Sequence, residues 1–424
     1  MRGKNRVKPR KKSRTPLQGE KPNGESLVAN DPIWPPSIPR LLCSNFSTIR
    51  FADTVEPSLI ADALLFSSMF SKAMFLVDQC IIPETAGMAD AWFTPMLFDA
   101  AYLNAVCFTI QTYLDGYFAR RRSAEAQRRD CVYYAKTIRI LQERLELDAL
   151  SGHAYTAGNY ESANHHINGL LKLVSMRGVG TFTHNTKLLI EIIRCDLGMA
   201  IDRGSRPLLF ASNSIPWTLM LTSDIMTVPG EKYSWRQIRG DLGHIQNRLD
   251  PELATVWAAM SEFCALMNEA AENTRFKISE EAFLHSMGSI MYRLLYQRFE
   301  MGSLNETVRL GLLAFSSPIF LHWNRVELPD PQFTSAYREA LAALGRMESN
   351  VEPRERLWLL MIGALSMYHE PDRVAWFRPW LRMDINLCGV FNWSDMRDLL
   401  GSFLWVGLVF DALGKELFES VLLQ

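Results

Sequence analysis

The chain has 424 residues, of which 48% are apolar and 21% charged, enough to bury a large core and to exclude a disordered or fibrous protein. Its formal charge of −1 hides an asymmetry: eight Lys and Arg lie between Arg2 and Arg14 with no acid before Glu20. Taking those eight from the 45 cations leaves 37 against 46 acids, so residues 15–424 carry about −9, and attraction to a polyanion has to come from the arm.

Residues 1–45 are poor in apolar side chains and carry seven prolines, from Pro9 to Pro39. Such a segment buries too little surface to offset its ordering entropy, so a disordered basic arm ending in an extended spacer, "DPIWPPSIP", is expected. The arm's densest part holds Lys8, Arg10, Lys11, Lys12 and Arg14, the composition of a nuclear address that can also touch phosphates. Those contacts would be salt-sensitive and blind to base sequence, because they neutralise backbone charge without reading base edges.

From residue 46 to 424 the apolar residues recur at steps of three and four, so one large all-α domain of packed helical hairpins is predicted. Helices are expected over 57–82 and 95–120, then along the stripe Tyr134, Ile138, Leu141 and Leu145, and over 185–203. In "DPELATVWAAMSEFCALM", Asp250 is a fitting N-cap, Pro251 a fitting first residue, and Leu253, Trp257, Met260, Cys264 and Met267 form one face. Behind Ser279, the residues Phe283, Met287, Ile290 and Leu294 repeat the pattern. Further helices are predicted over 305–322, 335–347, 354–369 and 391–414. "LWLLMIGALSMY", from Leu357 to Tyr368, is apolar almost all round and reads as a central core helix; six of the eleven tryptophans lie at or beyond Trp323, which places the densest packing there. No run of alternating β-branched residues is long enough to propose a sheet.

The seven cysteines are scattered, with no Cys-x-x-Cys pair, which argues against a disulfide framework and against a zinc ribbon, knuckle or finger. The basic start runs into Gly, Asn, Glu and Pro instead of an apolar stretch, so no export signal is expected. The longest uncharged stretches, such as Pro207–Ser223, fall short of the roughly 18 to 20 residues a membrane span needs, and a soluble intracellular protein is expected. Nucleophile elbows, phosphate loops, zinc-protease helices and calcium loops are missing, so neither a cofactor nor catalysis is predicted. His165 and His166 are neighbours that diverge by about 100° on a helix, which argues against a shared metal.

Two segments, "AGNYESANHHINGLLKLVSMRGVG" and "LLIEIIRCDLGMAIDRGSRPLLF", together resemble the helical regulatory domain of fungus-specific zinc-cluster transcription factors. The matching positions are His166, Gly169, Leu170, Arg177 and Gly178 in the first, and Arg194, Asp196, Leu197, Gly204, Arg206 and Pro207 in the second; Val179 stands where the family has a second turn glycine. The resemblance implies a nuclear domain that modulates transcription through an effector ligand, self-association or contacts with other regulators. From the residues themselves, Gly169 and Gly178 read as packing and turn positions, and Asp196 as a partner for Arg194 or Arg177 inside a bundle. The family's DNA readers carry six clustered cysteines, whereas this chain has none before Cys43. A clusterless co-regulator, or a chain whose first exon is missing, is therefore expected, reaching DNA weakly or through a partner. The alternatives are a helical small-molecule binder or secondary-metabolism enzyme, with Phe66, Phe70, Trp257, Met260, Trp358 and Met361 around an apolar pocket, and a helical scaffold.

Overall fold

The three-and-four periodicity folds into successive helices in a computed structural model that describes residues 50–56, 58–63, 77–82, 95–117, 132–133, 135–137, 139–140, 186–207, 209, 243–273, 277–321, 331–346, 351–367 and 371–422. α1 spans Ala100–Tyr117, α2 Thr186–Asp202, α3 Pro251–Glu272, α4 Glu280–Tyr296 and α5 Leu304–Phe320. α6 spans Pro331–Arg346, α7 Pro353–Met367, α8 Pro371–Cys388, α9 Trp393–Gly401 and α10 Gly407–Leu422. Among the described residues the class is all-α. The strands there are two residues each: β1, Ile81–Ile82, runs parallel to β2, Ile278–Ser279. The basic arm, the proline spacer and the segment holding His166, Gly169, Leu170, Arg177 and Gly178 lie outside the described residues.

Local chemistry sets the helix starts. The Asp250 carboxylate accepts the Glu252 N–H at 2.9 Å, and the Ser279, Ser303 and Asn392 side chains accept the amides of Ala282, Glu306 and Asp395. Each of the two faces read from the sequence in α3 and α4 is buried, with Trp257, Met260, Met267, Phe283, Met287 and Leu294 fully enclosed. α3, α4 and α5 pack in succession, and α2 lies against α4 and α6.

α7 is the hub. It packs on α5, α6, α8 and α10, and Leu357 through Ile362 are buried on every side, as its uniform apolar content requires. Two glycines let the neighbouring helices approach. A Cβ on Gly311 of α5 would stand 2.7 Å from Leu359 Cδ2 and 3.1 Å from Tyr337 Oη, and one on Gly363 of α7 would stand 2.9 Å from Tyr337 Cε1. Tyr337 of α6 closes this contact by donating its hydroxyl to the Leu359 carbonyl at 2.9 Å.

Three expectations change. The helix predicted over 57–82 is helical at 58–63, but Asp78–Cys80 is a single 3-10 turn that leads into β1, where Ile81 pairs with Ile278 across the chain. The helix predicted over 391–414 is two helices, α9 and α10, because the intervening backbone is claimed from outside. Trp358 Nε1 donates to the Leu404 carbonyl, Asn268 Nδ2 to the Trp405 carbonyl, and Asn268 Oδ1 accepts the Gly407 N–H, at 2.8, 2.8 and 3.0 Å. α8 was not predicted as a helix, since Pro379 sits in its interior; its packing on α7 and α10 overrides that local penalty.

Candidate functional site

The described part of the resembling element lies at the C-terminal end of α2. Arg194 and Asp196 are two residues apart and so diverge by about 200° around the helix, which aims them at different neighbours. Asp196, buried, accepts the Tyr292 hydroxyl of α4 and the Leu209 N–H, both at 3.0 Å. Arg194, also buried, donates to the Leu321 carbonyl just after α5 at 2.9 Å. Leu197 is fully enclosed in the core. The expected role for Asp196 as a bundle-internal anchor holds, with Tyr292 and the Leu209 amide as its partners.

Gly204 ends the helix. Its φ of 57° is left-handed, and the Ser205 N–H reaches back to the Ala200 carbonyl while the Gly204 N–H reaches Ile201, at 2.9 and 3.1 Å. This is the double closure that a glycine makes inexpensive. Beyond it, the Arg206 guanidinium lies 4.6 Å above the Tyr296 ring, and Pro207 is buried.

The turn is then stitched to the α4–α5 junction. Arg298 donates from Nη1 to the Leu295 and Gln297 carbonyls and from Nη2 to those of Gly204 and Ser205, so one guanidinium ties the end of α2 to the end of α4. Beside it, Glu306 and Arg309 of α5 form a buried two-point ion pair, Nη2 to Oε1 at 2.6 Å and Nε to Oε2 at 2.8 Å. Arg309 also donates to the Leu294 carbonyl, and Glu306 accepts the Phe299 N–H. The structure thus brings Arg194, Asp196, Leu197, Gly204, Arg206 and Pro207 together with Tyr292, Tyr296, Arg298, Glu306 and Arg309. The last five carried no motif in the sequence; the one available signal was Ser303-x-x-Glu306, the spacing of a capping box.

Chemically this is a polar lock between helices. Burial, then the charge of Asp196 and the hydrogen bond to it, hold the Tyr292 phenol well above its ordinary value of 10.0, so it stays a donor at neutral pH. The sign follows: the unfolded phenol ionises near 10, the folded one resists, and stability falls as pH rises past 10. Tyr292→Phe is expected to flatten that alkaline fall in urea midpoints measured from pH 8 upward. Asp196→Ala strands the Tyr292 hydroxyl and the Leu209 amide and is expected to lower stability by about 2–4 kcal/mol, read from chemical denaturation.

Among the described residues, no group of three or more His, Cys, Asp and Glu is arranged to hold a metal ion, and no helix is long and apolar enough to cross a membrane. The buried thiols of Cys107 and Cys264 are pushed up by desolvation, Cys107 to about 12, which makes them poor nucleophiles. No protein-family profile, curated protein or solved structure matches the chain.

Proposed function

We propose that the protein is a nuclear transcription regulator or co-regulator whose helical body is the regulatory domain and whose basic arm delivers it. The observation that carries this reading is the element Arg194-x-Asp196-Leu197 followed by Gly204-x-Arg206-Pro207, which resembles that of the zinc-cluster regulators. The use of these residues supports it: they hold α2 to α4 and α5 by hydrogen bonds, ring stacking and burial, as a domain acting through shape and contacts needs. Lys8, Arg10, Lys11, Lys12 and Arg14 serve as the nuclear address and supply weak, sequence-independent phosphate contacts. Partners are other regulators or a second copy, with sequence-specific DNA contact coming from a partner and a small-molecule effector modulating the body.

Two measurements test this. The full chain fused to an unrelated DNA-binding module is expected to raise or lower a reporter several-fold relative to the module alone. Removal of residues 2–14 is expected to move a tagged protein from nucleus to cytoplasm. An unchanged reporter together with unchanged nuclear accumulation overturns the reading.

A further inference from the structure

The second half of α8 turns an apolar stripe to solvent. Met383, Leu387 and Phe391 are 43%, 61% and 82% exposed, and they continue a line begun by Trp376 and Trp380. The steps from Trp376 to Leu387 are four, three and four residues, the spacing of a seam where one helix packs on another. Trp376 and Trp380 stack with ring centroids 6.2 Å apart, and Arg338 lies 5.0 Å over the Trp376 ring, so the stripe emerges from the core at that end. At the other end α10 adds to it. Arg382 donates from Nε and Nη2 to the Val421 carbonyl at 3.2 and 2.6 Å, which holds the end of α10 beside α8, and Leu422 is 45% exposed there. Four large apolar side chains present on the order of a few hundred Å², a size that marks an interaction face on a folded protein.

Charge selects the occupant. Arg378 and Arg382 lie on the N-terminal side of Leu387, while Asp395 and Asp398, both exposed, follow Phe391. The other charges near the stripe are matched within the chain, Asp384 by Arg356 and Arg397 by Asp411. A face that is basic at one end and acidic at the other is complementary to itself once turned end for end.

We propose that this α8 face is a self-association surface. A second copy docks antiparallel about a two-fold axis near Leu387, the apolar stripes meet, and Arg378 and Arg382 of each copy face the acidic end of the other. The apolar centre is smaller than the roughly 800 Å² per partner of a standard interface, so the dimer is weak and salt-sensitive. The proposal is independent of the regulatory reading, since a dimer can form whether or not the reporter responds.

Sedimentation velocity on the full chain from about 1 to 100 μM is expected to show a monomer–dimer equilibrium that shifts toward monomer with added salt. Leu387→Glu and Phe391→Glu are each expected to weaken dimerisation about tenfold or more without lowering the melting temperature, because both side chains are solvent-facing. Leu387→Cys in a Cys388→Ser background is expected to give an oxidised dimer that Cys388→Ser alone does not, and this arm decides the matter if the Glu variants unfold. A monomer at every concentration, a dimer indifferent to both Glu substitutions, or no cross-link at position 387 overturns the proposal.

Discussion

Glu306→Ala is expected to lower the free energy of unfolding by about 3–5 kcal/mol, among the largest effects of any single substitution in the chain. The cause is the guanidinium left behind. Arg309 is 4% exposed, and Glu306 meets it at two points within one helical turn, so removing the carboxylate leaves a buried cation whose desolvation is no longer compensated. The Phe299 N–H loses its acceptor as well. Glu306→Gln keeps an acceptor for that amide but loses the charge, and its loss is expected to fall between wild type and Glu306→Ala. The double variant Glu306→Leu, Arg309→Met removes both charges and is expected to recover much of the loss, since a buried ion pair exchanged for apolar residues of similar volume is often near neutral. Urea denaturation of the four proteins measures this as a double-mutant cycle. A Glu306→Ala loss below about 1 kcal/mol, the range of an exposed pair, would show that the pair is hydrated.

The same pair shows where sequence reading stops. Asp250, Ser279 and the stripes from Leu253 to Met267 and from Phe283 to Leu294 were legible because capping and periodicity are local: partners lie within one or two turns and each residue type has one cheap role. The lock at the end of α2 was half legible. Gly204 and the Arg-x-Asp-Leu spacing were visible in the sequence, yet the groups that receive them, Tyr292 and Arg298, lie 96 and 94 residues away from Asp196 and Gly204. No periodicity encodes that pairing. The break between α9 and α10 was invisible for a related reason. Apolar residues continue through it, and what interrupts the helix is a set of donors on α3 and α7 that satisfy its carbonyls. The exposed stripe of α8 was hidden in the opposite way. Its spacing is that of any core-facing helix, and only the placement of α7 and α10 reveals which apolar residues are left over.

Trp358→Ala should match the Glu306 substitution in size through a different mechanism, and it locates the break between α9 and α10 experimentally. The indole is fully enclosed, 5.2 Å from the Trp257 ring in an edge arrangement, 6.4 Å from Phe315 and 6.2 Å from Phe403 in a stack. Truncation to alanine opens a cavity at the hub helix and is expected to lower stability by about 3–5 kcal/mol. It also removes the donor to the Leu404 carbonyl, so amide exchange across residues 402–406 should accelerate beyond the global loss, although Asn268 still holds Trp405 and Gly407. Trp358→Phe separates the two contributions: much of the aromatic packing survives and the hydrogen bond does not, which predicts a loss of about 1–3 kcal/mol. Its exchange signature should remain concentrated at the loop. If Trp358→Phe and Trp358→Ala lose the same stability, the hydrogen bond dominates; if the loop exchanges no faster than the rest in either variant, the chain break is not held by Trp358.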